Sequence, residues 1–136
     1  MTDELRQRDG DQPLPIVNHL PFIHDLVIED LERLRDSATD GHDTINNVID
    51  DVRGRKDLGT KRYGTALQPF NGRDVRRDAN EELLDTAAYM RQQVYELGLL
   101  PDDVKDQFHP RVVMYKTILA MLTLSRKLLD TGVDGI

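Results

Sequence analysis

The chain contains no cysteine and no tryptophan, and aromatic residues make up only 5% of its 136 positions. Without cysteine there is no disulfide framework, no thiolate zinc site and no cysteine nucleophile. With so few aromatics, an interaction hot spot of the Trp/Tyr kind has little to be built from. No apolar run approaches the roughly 18 residues that a membrane span needs. The N-terminal residues are Asp, Glu, Arg and prolines rather than an apolar stretch, so a secretory signal is not expected. Alternating β-branched stretches are scarce, which leaves strands without a home. The net charge of -7 opposes unassisted binding to nucleic acid, whose affinity comes mainly from phosphate neutralisation. These absences predict a cytoplasmic protein with neither a membrane nor a nucleic acid as direct partner. Nucleotides stay open as ligands, because a metal ion can bridge two negative partners.

What is present is helical. Apolar residues make up 38% of the chain and charged residues 32%, enough for one modest core. Gly10, Pro13 and Pro15 interrupt any periodicity near the start, so residues 1–20 read as a flexible N-terminal arm and 21–136 as a single helical domain. Pro21 opens a first helix, with Phe22, Ile23, Leu26, Val27, Leu31 and Leu34 at 3- and 4-residue spacing. The turn-rich Ser37 to Asp43 segment ends it. A second helix is expected from about Thr44 to Leu58, stopped by Gly59, with Ile45, Val48, Ile49 and Val52 as its apolar face. The segments VIEDLERLRD at 27–36 and VIDDVRGRKD at 48–57 echo each other, as two amphipathic helices of similar composition do; a solenoid needs about three copies. A third helix runs from about Asp74 to Leu97 and stops at Gly98. A fourth runs from about Pro110 to Leu129, with Arg126 and Lys127 where a C-terminus favours cations. The expected fold is an all-α bundle of about four main helices. His19, His24, His42 and His109 lack zinc-site spacing and read as surface or capping residues.

The third helix carries the first chemical signal. Residues 3, 4, 7 and 11 apart share a helical face. Asp74, Asp78, Glu82, Asp85 and Tyr89 therefore form one stripe, with Glu81 on its flank. Val75, Ala79, Leu83, Ala87, Met90, Val94 and Leu97 fill a neighbouring arc, which puts the acids at the edge of the core-facing side, where bundles build metal sites. Glu82 and Asp85, one turn apart, offer hard oxygens of the kind Mg²⁺ takes. The same acids also complement a helix N-terminus and can pair with Arg73, Arg76 and Arg77.

The loop before this helix carries the second signal. Lys61, Arg62 and Arg73 bracket it, and arginine and lysine are the phosphate-binding side chains. Gly64 and Gly72 let the backbone approach a ligand closely. Tyr63 or Phe70 could stack on a base, although Phe70 is expected to tuck into the core, with Asn71-Gly72 as an ordinary turn.

The blocks KRYGT (61–65), LQPFNGRD (67–74) and DANEELLDTAAYMR (78–91) resemble a group of small helical phage and prophage proteins. Their pattern in turn looks like part of the site of the MazG-like, all-α nucleoside triphosphate pyrophosphohydrolases, over about residues 48–92. In that superfamily an EExxE motif and a later ExxD motif hold Mg²⁺ on a triphosphate. Glu82-x-x-Asp85 matches ExxD and Glu81 precedes it; the preceding helix offers Asp50 and Asp51, and no EExxE stands in the sequence.

The resemblance implies a Mg²⁺-dependent nucleotide pyrophosphohydrolase-like phage or prophage protein, acting in the host cytoplasm and cleaving a nucleoside triphosphate to monophosphate and pyrophosphate. Mg²⁺, or Mn²⁺ in its place, would be held by Glu82, Asp85, Asp78 and Asp51. Glu81 and Glu82 would be the catalytic carboxylates. Lys61, Arg62, Tyr63, Asn71 and Arg73 would bind the substrate. The superfamily also implies a homo-oligomer, a dimer or tetramer. Two alternatives keep the fold without the chemistry. One is a nucleotide-binding accessory or counter-defence factor without turnover. The other is a purely structural protein whose sensitive positions would be Met114, Ile118 or Met121.

Overall fold

The structure, a computed structural model, describes residues 12–131. Among the described residues it is all-α, with four helices and no strand. No helix among the described residues is long and apolar enough to cross a membrane. The chain divides into two compact units, Met1–Arg73 and Asp74–Ile136, each built on a pair of packed helices.

The first unit holds α1, Ile23–Ser37, and α2, His42–Tyr63. The four residues between them end in Gly41, whose φ of 72° lies in the left-handed region that glycine enters without a Cβ penalty. Ile28 of α1 and Ile49 of α2 are buried, while Leu26, Val27, Leu34 and Val48 are exposed. The apolar face is thus narrower than the spacing predicts. Lys56 adds a polar tie across the helices, 2.9 Å from Asp25 and 4.8 Å from the Phe22 ring centroid.

α2 does not stop at Gly59. It continues to Tyr63 and ends on Gly64, whose φ is 79° and whose amide donates to the Thr60 carbonyl. A helical glycine costs only about 1 kcal/mol relative to alanine. Gly64, five residues on, supplies the left-handed cap.

The N-terminal arm also departs from expectation. Residues 1–11 lie outside the described residues. Residues 12–18 have no regular secondary structure, the chain bends at His19 and Leu20, and the segment runs antiparallel to the 67–73 loop. Arg73 donates to the Pro13 carbonyl at 2.8 Å. The Ile16 amide donates to the Asn71 carbonyl at 2.9 Å, and the Ile23 amide to the Leu67 carbonyl at 2.8 Å. Gln68, only 5% exposed, clasps the centre. Its Nε2 donates to the carbonyls of Asn18 and Leu20, and its Oε1 accepts from the Asn18 amide. Asn18 Nδ2 returns a bond to the Pro69 carbonyl. Two segments outside any sheet thus satisfy backbone groups through side-chain amides, and the loop is held in place.

The second unit holds α3, Val75–Glu96, and α4, Pro110–Thr131. Asp74 caps α3 through its side chain, which accepts from the Arg77 amide. The helix closes in a Schellman turn: Gly98 donates to Tyr95 and Leu99 to Val94, with φ of 70° at Gly98. Asp106, buried in the connection, accepts from the Leu100 amide. His109 Nδ1 accepts from the Arg111 amide and so caps α4, as its place before Pro110 suggests. Val94 and Val112 are fully buried. Beside the core Ser125 donates to Asn80, and Arg91 lies 6.0 Å from the Tyr115 ring centroid. A groove of about 510 Å³ between the helices is lined by Asn80, Leu84, Leu122, Arg126 and Lys127 among others.

Candidate functional site

The cationic part of the expected site belongs to the first unit. Lys61, Arg62 and Tyr63 form the last turn of α2, and the Gly64 turn leads into the 65–73 loop. Two guanidinium groups lie over the Tyr63 ring: Arg62 is 5.2 Å and Arg73 5.9 Å from its centroid. Both distances are within the range of a cation–π contact. Among the described residues the Arg62 Nε is buried without a hydrogen-bond partner, as are His24 Nδ1 and Arg91 Nη1. A buried donor without an acceptor costs about 1–3 kcal/mol, so such atoms mark places where a partner belongs.

Asn71 stands apart from the other expected ligand residues. It is 6% exposed. Its Oδ1 accepts from the Arg73 amide at 3.1 Å, and its carbonyl accepts from Ile16. Its observed contacts shape the loop and orient Arg73. Gly72 follows at φ 84°, with Ile16 Cδ1 3.0 Å from where a Cβ would stand.

Phe70 corrects the expectation that its ring is tucked into the core. The residue is 89% exposed. Its φ of 54° makes it the one described non-glycine residue on the left-handed side. Pro69 and Phe70 form a turn in which Phe70 takes a positive φ, a position usually given to Gly or Asn. That mismatch is visible in the sequence as Pro-Phe where Pro-Gly is expected. Gln68 and Asn18, which hold this turn, carry no such signal.

The carboxylate stripe belongs to the second unit. Glu81, Glu82 and Asp85 are exposed and Asp78 is half-buried. Asp85 precedes the fully buried Val94 by nine residues, about 180° round the helix at 100° per residue. The stripe therefore faces away from α4 rather than bordering the core of this helix pair. The packed face instead runs through Asn80, Leu83, Ala87, Arg91 and Val94. Glu81 is paired with Arg77 at 3.4 Å, while Glu82 and Asp85 keep their one-turn spacing. Asp51 is exposed on α2 of the other unit, about 15 Å along the helix from Lys61 at 1.5 Å per residue; its neighbour Asp50 pairs with Arg53. Among the described residues no group of three or more His, Asp or Glu side chains is arranged to hold a metal ion.

Within the first unit, His24 on α1 is half-buried. Its Nδ1 is buried without a partner. Burial, then the positive charges of Lys56 and Arg55, lower its pKa below 6.5.

No protein-family model, curated protein or solved structure matches the chain.

Proposed function

We propose that this chain binds a nucleoside triphosphate through the end of α2 and the loop that follows. The observation carrying this reading is the Arg62–Tyr63–Arg73 stack, with its partnerless buried Arg62 Nε. Guanidinium groups recognise phosphate oxygens through planar, charge-assisted hydrogen bonds, and Lys61 on the same turn adds a compact charge. An anion here meets cations held by ring stacking and by a backbone pinned at Pro13, Asn18 and Asn71. Little ordering is left to do on binding.

Magnesium is a separate element of the proposal and rests on the second unit by itself. Mg²⁺ keeps several waters and is commonly held by one or two carboxylates plus substrate phosphates. The exposed, one-turn pair Glu82 and Asp85 fits that modest demand. A bound Mg²⁺ would polarise phosphate oxygens and lower the pKa of a water. The pyrophosphohydrolase reading then follows. In that reading water attacks the α-phosphorus, the α–β bridging bond breaks, pyrophosphate leaves and a carboxylate takes the water proton, a part for which the resemblance names Glu81 and Glu82. A cytoplasmic location suits the reading, since nucleoside triphosphates and Mg²⁺ meet there.

A homo-oligomer is the third element. Met114, Thr117, Met121, Leu124 and Leu128 recur at alternating 3- and 4-residue spacing along α4, the pattern of a coiled-coil seam. The four apolar members are 38–59% exposed and lie on the face turned away from α3. A second copy of this chain is the proposed occupant of that seam.

The deciding experiment screens nucleoside triphosphates with Mg²⁺ and Mn²⁺ for binding and for pyrophosphate release. Binding with release that Glu82→Ala abolishes supports the full reading. Binding without release leaves the non-catalytic form of it. No binding by any nucleotide refutes it.

A further inference from the structure

We propose that Phe70 is the platform on which the base of the nucleotide stacks; this inference rests on the nucleotide-binding reading. Three features of Phe70 conflict with an ordinary loop residue. Its φ of 54° is a conformation that bulky side chains avoid. Its ring is 89% exposed, so no burial offsets that strain. The residues around it are pinned: Gln68 by Asn18 and Leu20, Pro69 by Asn18, and Asn71 by Ile16. The fold thus holds a turn that presents an aromatic ring to solvent, and strained, over-determined residues of this kind cluster at ligand clamps.

The neighbouring groups select the ligand. Arg73 is three residues on, so its Cα lies within about 11 Å of that of Phe70, and it closes the Arg62–Tyr63–Arg73 stack. A ligand that pairs a flat aromatic face with anionic groups at that scale matches the arrangement, and a nucleotide is such a ligand. Ile16, exposed and hydrogen-bonded to Asn71, offers an aliphatic wall beside the loop. An apolar peptide would match Phe70 and Ile16 but would bring no anion to the cations. Base–aromatic stacking tolerates every base, so the contact contributes affinity rather than base choice.

The test is calorimetric titration of the full chain with a nucleoside triphosphate and, separately, with inorganic triphosphate, both with Mg²⁺. The variants are Phe70→Ala, Phe70→Tyr and Phe70→Gly. Removing a stacking ring weakens binding by roughly 5- to 150-fold. Phe70→Ala and Phe70→Gly should lose that factor for the nucleotide while keeping wild-type affinity for inorganic triphosphate; Phe70→Tyr should bind both like wild type. Phe70→Gly keeps the turn unstrained, which guards the test against a folding defect in the alanine variant. Unchanged nucleotide affinity in both variants overturns the inference, and so does an equal loss for both ligands. If wild type binds inorganic triphosphate as tightly as the nucleotide, this inference fails and the phosphate site stands. If wild type binds neither, the phosphate site itself is refuted.

Discussion

Phe70 yields a stability prediction that needs no ligand. A non-glycine residue in the left-handed region costs about 1–2 kcal/mol. Glycine removes that cost but adds unfolded-state entropy of about 0.5–1 kcal/mol. The ring is 89% exposed, so at about 25 cal/mol per Å² its loss forfeits little burial. Phe70→Gly should therefore be stabilising, by roughly 0.5–1 kcal/mol from these terms. Phe70→Ala keeps the strained φ and should be close to neutral. The difference between the two variants isolates the backbone contribution. Urea denaturation followed by circular dichroism measures it, as a raised midpoint at unchanged slope. A loss of more than about 1 kcal/mol in Phe70→Gly would mean a ring packed against something, and both the strain and the presentation of Phe70 would be refuted.

Three further predictions concern the two helix pairs. Gly59 sits inside α2 with nothing within 4 Å of where a Cβ would stand, so Gly59→Ala should raise stability by about 0.5–1 kcal/mol; a loss on denaturation would show that the helix breaks there. His24 has a lowered pKa in the folded state, so the unfolded chain binds its proton first. Its contribution is present above pH 6.5 and is lost as pH falls from there through the folded value. His24→Gln should flatten the fall in stability between about pH 7 and pH 5, and an identical slope in the variant contradicts the assignment. Leu124→Glu places a charge in the outer seam of α4 and should shift the chain to a smaller species by light scattering with its helical content kept. A wild type that is monomeric at every concentration removes the seam proposal.

Much of the helical framework is legible in the sequence because its signals are local. Pro110 opens one helix, Asp74 caps another and Gly98 ends it, each through contacts within a few residues. The first helix starts at Ile23, two residues after Pro21. Sequence reasoning fails where the decisive partner is distant. Gln68 and Asn18 are fifty residues apart, and no periodicity connects them, so nothing in the chain distinguishes residues 12–20 from a free arm. Gly59 misleads because glycine both ends helices and tolerates their interiors; the choice is made by Gly64, which reaches the Thr60 carbonyl. Asp78, Glu82 and Asp85 do share a face, as phasing requires. Which side of α3 that face occupies depends on Val94 and Asn80 packing against α4, and a stripe drawn from spacing alone does not choose between edge and far side. The placement of Arg62 and Arg73 about Tyr63 is foreshadowed only as a cluster of phosphate-friendly residues.

The central claim is that the end of α2 and its loop hold a triphosphate, and Arg62 tests it most directly. Its Nε is a buried donor without an acceptor among the described residues. Titration of the full chain with a Mg²⁺–nucleoside triphosphate should show saturable binding that Arg62→Ala weakens at least tenfold, about 1.4 kcal/mol, and that weakens with added salt. Affinity unchanged by Arg62→Ala, in a variant as stable as wild type, would contradict the account.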